Sequence, residues 1–257
     1  MKFGMPSLVE APDIRDCFRI AQQLGLDFIE LHMDLPQHLP DRIDVHLAKQ
    51  LIHDSGLFLT FHLLENFNPC DFNVGVRAAY LEIAKRAIEV ALELRCPIVN
   101  LHMPNGVYFS LPDKKVYLFE QYKHDFLENL LRFRALCDAM IGDANLSICV
   151  ENCGGFLPFQ KDGLDMLLQS DHFGLTFDVG HDHYLHADEA YIRAHVDRLK
   201  HMHLHDAIDT RNHLTLGTGE MDIQDKLALA AVCDATIVLE TKTIEALQTS
   251  VCFLQTL

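Results

Sequence analysis

The sequence predicts a single (β/α)8 barrel of parallel strands spanning residues 1–257. Three observations carry that prediction. A chain of 257 residues matches the roughly 250 residues of one such barrel. Short apolar, β-branched runs alternate with longer amphipathic stretches, which is the pattern of parallel strands joined by crossover helices. Eight such units fit into the chain with no linker, low-complexity segment or domain boundary between them, and eight favour a closed barrel over an open sheet.

In chain order, the strands are expected at Lys2–Met5, Phe28–His32, Phe58–His62, Ile98–His102, Ser147–Glu151, Leu175–Asp178, His201–His205 and Thr236–Glu240. The helical pattern is clearest over Arg77–Leu94, where Ala79, Ile83, Ala87, Val90 and Leu94 fall near one face. A second long helix is expected over Tyr117–Met140, and shorter ones over Asp188–Arg198 and Asp222–Cys233. The stretch around Pro104–Lys115, rich in turn formers, reads as a lid-like insertion.

Composition sets limits on function. The net charge of −16 opposes non-specific nucleic-acid binding, which relies on Lys and Arg to displace counterions. The eight cysteines form no CxxC pair, and several sit inside apolar runs, so they read as buried thiols in a reducing compartment. The N-terminus lacks a signal peptide's apolar run, and no stretch approaches the roughly 20 apolar residues of a membrane span. The expectation is a cytoplasmic protein with no membrane partner.

The ends of the strands carry the chemistry. Apolar runs finish in His62, His102, Glu151, Asp178, His203 and Glu240. A charged group at the end of a buried strand costs several kcal/mol, order of magnitude, unless something pairs with it. In this barrel class all carboxyl ends meet at one face, where acids and imidazoles would repel or desolvate one another without a cation. Zinc or manganese accepts this mixture of imidazole nitrogen and carboxylate oxygen, and cobalt or magnesium is also compatible. In HMHLHD, alternation puts His201, His203 and His205 on one face, and this pattern does not say which of them binds metal. His181 and His213 lie on loops that reach the same cavity, whereas His183 and His186 read as ordinary loop histidines. Gly217 and Gly219 form a turn before a helix, whose amides are also candidates to hold an anion.

In order along almost the whole chain, Phe61–His62, Leu101–His102, Glu151–Gly155, Phe177–His181, Met202–Asp206, His213–Gly219 and Leu239–Thr241 resemble the motifs of the xylose isomerase-like TIM barrel superfamily. That group includes sugar isomerases and epimerases and the endonuclease IV type of apurinic-site nuclease. The resemblance implies that Glu151, Asp178, His203 and Glu240 are the four ligands of a central metal, with Glu151 and Glu240 also the catalytic acid and base. It implies a second metal on His62 and His102, bridged by Glu151. His181 and His213 look like ligands of the nucleases' third metal, but the carboxylate expected two residues before His213 is replaced by Arg211. An arginine cannot ligate a cation, so His181, Arg211 and His213 become candidate contacts to substrate oxygens. Asp206 and Asp209 are the nearest substitutes for the missing carboxylate.

The first function so implied is a metal-dependent isomerase or epimerase acting on a sugar, sugar phosphate or cyclitol through an enediolate. The second is a multinuclear zinc phosphodiesterase of the apurinic-endonuclease kind, opposed by the acidic charge. A related dehydratase or a non-catalytic barrel is the third. The expected partner is a small carbohydrate, and relatives of this type often form homo-oligomers.

Overall fold

In a computed structural model that describes residues 1–257, eight parallel strands close into a barrel. They are β1 Lys2–Pro6, β2 Phe28–His32, β3 Phe58–His62, β4 Ile98–His102, β5 Ser147–Glu151, β6 Phe173–Asp178, β7 Leu199–Leu204 and β8 Thr236–Leu239. Each strand pairs with its sequence neighbours, and β8 closes on β1. The outer helices include Ile14–Gln23, Val45–Ser55, Val74–Leu94, Lys123–Ile141, Pro158–Leu167, Ile223–Cys233 and Ile244–Leu254. Side chains of Asp13, Asp44, Asn73, Asp222 and Thr243 accept the free amides at five helix starts, which fixes where each crossover turns back.

Four expectations shift in detail. Strand β7 ends at Leu204, and β8 at Leu239, so His205 and Glu240 lie just beyond the ladder while remaining buried. The helix read over Tyr117–Met140 is broken at Tyr122, whose backbone (φ −115, ψ 48) leaves the helical region; Leu118–Gln121 forms one turn before it. His195 (φ −118, ψ 35) likewise divides the segment Asp188–Arg198. On Val74–Leu94 the packed stripe runs through Ala84, Ala87, Ile88, Ala91 and Leu94, and Ala79 is exposed, because the helix is rotated by about one position from the face read in sequence. The expected insertion at Pro104–Lys115 contains most of an exposed hairpin that pairs Tyr108–Ser110 with Lys115–Tyr117.

The outer face of the strands meets the helices through one apolar cluster that includes Met202 and Leu204. The inside of the barrel is different. Phe28 stacks on Phe58 at 4.9 Å to close one end, and a Cβ at Gly4 would overlap the Phe28 ring, so only glycine fits there. Towards the other end the interior becomes polar: Glu30, Thr60, His62, Asn100, Glu151, Thr176, Asp178, His201 and His203 are all buried. Interstrand register brings the carboxyl ends level, pairing His102 with Glu151 and Asp178 with His203.

Candidate metal centre

Glu151 closes β5, Asp178 closes β6, His203 is next to last in β7, and Glu240 directly follows β8. Closing the ring places one donor atom of each within 4.8 Å of the others, all four residues being buried. Nδ1 of His203 lies 3.2 Å from Glu151 Oε1, 3.1 Å from Glu240 Oε2 and 3.9 Å from Asp178 Oδ2. Three carboxylates at such separations repel by about 3–4 kcal/mol per pair at an effective dielectric of about 20. The His203 ring nitrogens and Glu240 Oε2 form no hydrogen bond, because the close oxygens stand off the lines a ring N–H would need. Buried polar atoms that crowd together without bonding are what a divalent cation satisfies, and the donor set of imidazole and carboxylate suits zinc or manganese.

The charges answer one another. Burial pushes the Glu151 carboxyl up, but the His203 and His102 rings outweigh it and hold it well below the usual carboxylate range. Burial and His203 oppose each other in the same way at Glu240, with the same net direction. Burial lowers the His203 imidazole, yet Glu151, Glu30 and Glu240 raise it well above its ordinary value. In the metal-free chain a proton on His203 therefore takes the role that a cation would have.

A second set of donors surrounds Glu151. His62 Nε2 lies 3.3 Å from its Oε2, and His102 Nε2 lies 3.5 Å from its Oε1. His62 Nδ1–H donates to the Leu63 carbonyl at 2.7 Å, so the bare Nε2 faces the carboxylate. Burial, then the stacked His32, push the His62 imidazole down. His102 goes the other way: burial lowers it, but Glu151 and Glu65 lift it to about 12. Asn100, anchored by Thr176, donates from its amide to Glu151 Oε2 and fixes the carboxylate.

The loops after β6 and β7 supply the rest. His181 Nδ1 stands 3.4 Å from Asp178 Oδ2 and 3.9 Å from Glu151 Oε1. His213 Nδ1 stands 3.6 Å from Glu240 Oε1, and burial pushes its imidazole down to about 4. The His213 backbone sits in the left-handed region (φ 54), which turns its N–H onto His205 Nδ1 at 2.7 Å. Because Nδ1 accepts, His205 must carry its proton on Nε2, which donates to Asp178 Oδ1 at 3.1 Å. His205 thus orients the Asp178 carboxylate. Asn152 grips the Asp178 main chain through both amide atoms at 2.8 Å.

Three sequence expectations meet other surroundings. Arg211 is exposed on the hairpin Asp206–Ile208/Arg211–Leu214, its side chain making no ion pair or hydrogen bond, and is not part of the cluster. Asp206 is not free to replace the missing carboxylate, because its oxygens accept the amides of Ala207, Gly217, Gly219 and Met221. Those same bonds engage the Gly217 and Gly219 amides, so an external anion finds none there. Asp209 stays exposed at the hairpin turn. Among the residues not singled out in sequence, Glu30 is the most telling. It is buried inside the barrel against His201 and His203, and the alternation of FIELH is its only trace in the chain.

The family model described as xylose isomerase-like TIM barrel matches residues 18–256. An uncharacterized protein of Methanocaldococcus jannaschii is 24% identical over 236 residues, which is 86% of this chain and 81% of that protein. A D-tagatose 3-epimerase-like protein superposes with a TM-score of 0.79 at 24% identity, covering 100% of this chain and 96% of the other. The 3-keto-D-glucoside 4-epimerase of E. coli gives a TM-score of 0.79 at 17% identity, with both chains covered completely. At these identities, likeness to the solved structures establishes the fold.

Proposed function

The chain belongs to the xylose isomerase-like TIM barrel family, and from that premise we propose that it is a divalent-metal-dependent isomerase or epimerase of a small carbohydrate. The observation that carries the proposal is the approach of Glu151 and Glu240, from strands on different sides of the ring, to the single Nδ1 of His203. The named epimerases among its structural neighbours support the reading. Glu151, Asp178, His203 and Glu240 would hold the cation, with His62 and His102 at hand for a second one. Zinc or manganese fits the donors, and cobalt or magnesium is compatible.

A bound cation supplies Lewis acidity, stabilising the negative charge that grows on a substrate carbonyl oxygen as the neighbouring carbon loses its proton. The remaining work belongs to the chain. One of Glu151 and Glu240 takes the proton from carbon, and the other returns it from a different side. Asn100 keeps Glu151 in place, and Lys242 Nζ, 3.0 Å from Glu240 Oε1, helps to orient Glu240, whose ionised form is favoured chiefly by His203. His181 and His213 are placed to bind substrate oxygens at the rim, with Arg211 available from the exposed hairpin. Beside His102 a cavity of about 340 Å³ is lined by Glu65, Asn66, Asn68, Asn105 and Tyr80. Amides and a carboxylate suit hydroxyl groups, and no Lys or Arg lines the cavity, which favours an uncharged sugar or cyclitol over a phosphorylated one. All eight cysteines are unpaired thiols, in keeping with the cytoplasm as the compartment.

The test is proton exchange. With manganese or zinc added, ketoses and cyclitols incubated in D2O should exchange a C–H for deuterium, read by proton NMR. Glu151→Gln and Glu240→Gln should each lower the rate by at least about 100-fold while keeping the fold, as expected for loss of a general acid or base. Wild-type turnover in either variant would refute the assignment. A second reading, phosphodiester hydrolysis, is favoured only by the convergence of His62 and His102 on Glu151. Two or more zinc ions per chain together with cleavage of an abasic-site duplex would establish it instead.

A further inference from the structure

The cavity beside His102 lies to one side of the metal cluster. Its wall comes from the turns after β3, β4 and β5 and from Tyr80 on the helix Val74–Leu94. None of Glu151, Asp178, His203 and Glu240 lines it. His102 alone belongs to both, with Nε2 towards Glu151 and Nδ1 3.2 Å from Glu65 Oε2 on the cavity side. A reacting carbonyl and its neighbouring hydroxyl must sit on the cluster, so the cavity's volume of about 340 Å³ is additional to theirs. Sites of roughly 300 Å³ and upward enclose a whole small molecule, far more than the short polyol tail of a free ketose.

From this arrangement we propose that the substrate is a two-unit saccharide, a ketose joined to a second uncharged sugar ring, and that Asn66, Tyr80 and Asn105 bind the second ring and set specificity. The inference rests on the isomerase or epimerase reading above and deepens it. The cavity wall is braced from behind. Gln160, 2% exposed, accepts the Leu157 amide on Oε1 at 2.8 Å, which puts its NH2 on the other side. That NH2 donates to the carbonyls of Met103 and Pro104 at 3.3 and 3.2 Å and to Asn105 Oδ1 at 3.1 Å. With its oxygen so engaged, Asn105 has its own NH2 left to donate to a ligand. Phe67 is buried and meets the Tyr80 ring edge to face at 5.6 Å, which holds that ring at the cavity wall. Tyrosine offers an apolar face to the C–H side of a sugar ring and a hydroxyl at its edge. Asn66 completes the polar lining, and neither its side chain nor the Tyr80 hydroxyl hydrogen-bonds within the chain. An apolar aglycone would strand these groups without partners, whereas the hydroxyls of a sugar ring both donate and accept.

The experiment measures proton exchange in D2O with the full chain and added manganese, comparing D-fructose with its glycosides maltulose, isomaltulose and lactulose. At least one glycoside should exceed D-fructose in kcat/KM by about tenfold or more, chiefly through a lower KM, as expected when added contacts bind ground and transition states alike. Tyr80→Ala and Asn105→Ala should each reduce that preference at least about tenfold, again through KM. A wild type that favours none of the glycosides over D-fructose, or a preference that either variant keeps, would overturn the proposal. Asn105 is exposed, so if Tyr80→Ala does not fold, Asn105→Ala and the wild-type preference decide. If no ketose exchanges a proton, the isomerase or epimerase reading fails, and the subsite is judged by saturation-transfer NMR. Transfer to the glucosyl protons of maltulose that weakens in Asn105→Ala sustains it; transfer that is absent, or unchanged in the variant, overturns it.

Discussion

Gly180 provides a sharp test of how the ligand set is held. It lies in the short helix Val179–His183 that follows β6, and its φ is not in the left-handed region, so alanine is conformationally acceptable. By helix propensity alone, Gly180→Ala would gain up to about 1 kcal/mol. The surroundings reverse the sign. An added Cβ would stand 2.9 Å from His205 Nε2 and closer still to Cε1 and Nδ1. His205 is completely buried and must move, losing the His213 amide at 2.7 Å and the Asp178 carboxylate at 3.1 Å. A neutral bond is worth about 0.5–1.5 kcal/mol and one to a charged group about 1.5–3, so the net loss is about 1–4 kcal/mol. For a chain of this size that lowers the melting temperature by about 3–12 °C. Freed from His205, Asp178 should also bind zinc about 10–100-fold more weakly. Thermal melts with and without metal, and chelator competition, measure both quantities. A variant that melts at or above the wild type with unchanged zinc affinity would refute the reasoning. In the double variant with His205→Gln the two effects should be less than additive, since they act on one contact.

Stability and metal affinity should have different pH dependence. His203 and His102 hold raised imidazoles, so their contribution in the metal-free protein is complete below about pH 6.5 and is lost as pH rises towards the folded value, about 12 for His102. Glu151 and Glu240 are depressed, so theirs is present above about pH 4.5 and is lost as pH falls through their lower folded values. Metal must displace protons from its ligands, so affinity climbs with pH. The gap between metal-loaded and metal-free melting temperatures should widen from about pH 6 to about pH 9, and a narrowing gap would contradict the cluster's assignment. Asp206→Ala strands four backbone amides that the wild-type carboxylate binds at 2.8–3.2 Å. Only the Ala207 amide bond is buried and the other three are half-buried, where water replaces the carboxylate in part, so the loss should be at least about 2 kcal/mol in urea unfolding. A loss below about 1 kcal/mol would show that water or rearrangement replaces the carboxylate.

The ring of strands was legible because its signal is local. A strand whose two faces meet helices and barrel interior must alternate or run apolar, and its helical crossover must carry a 3.6-residue stripe. Polar endings such as Glu151 in SICVE and Asp178 in LTFDVG stand out against those runs, so the candidate acids could be found in the chain. The class of barrel then implied that they share one face. Local signals were weaker at element ends: Tyr122 and His195 break helices through backbone angles that their side chains do not announce.

What only the tertiary structure decided is which of these groups touch, and through which atoms. In HMHLHD three histidines share one periodicity, yet one faces Glu30, one faces both Glu30 and the acidic ligands, and one braces Asp178. The Glu30–His201 contact spans 171 residues, and Asn100 reaches Glu151 from a neighbouring strand. Period-2 alternation fixes the inward face of a strand but carries no information on its height against a partner. That height comes from ring closure and the register of each strand pair, which are properties of the packed barrel as a whole. Tertiary structure also left Arg211 on an exposed hairpin and turned the amides of Gly217 and Gly219 onto Asp206, away from any external anion.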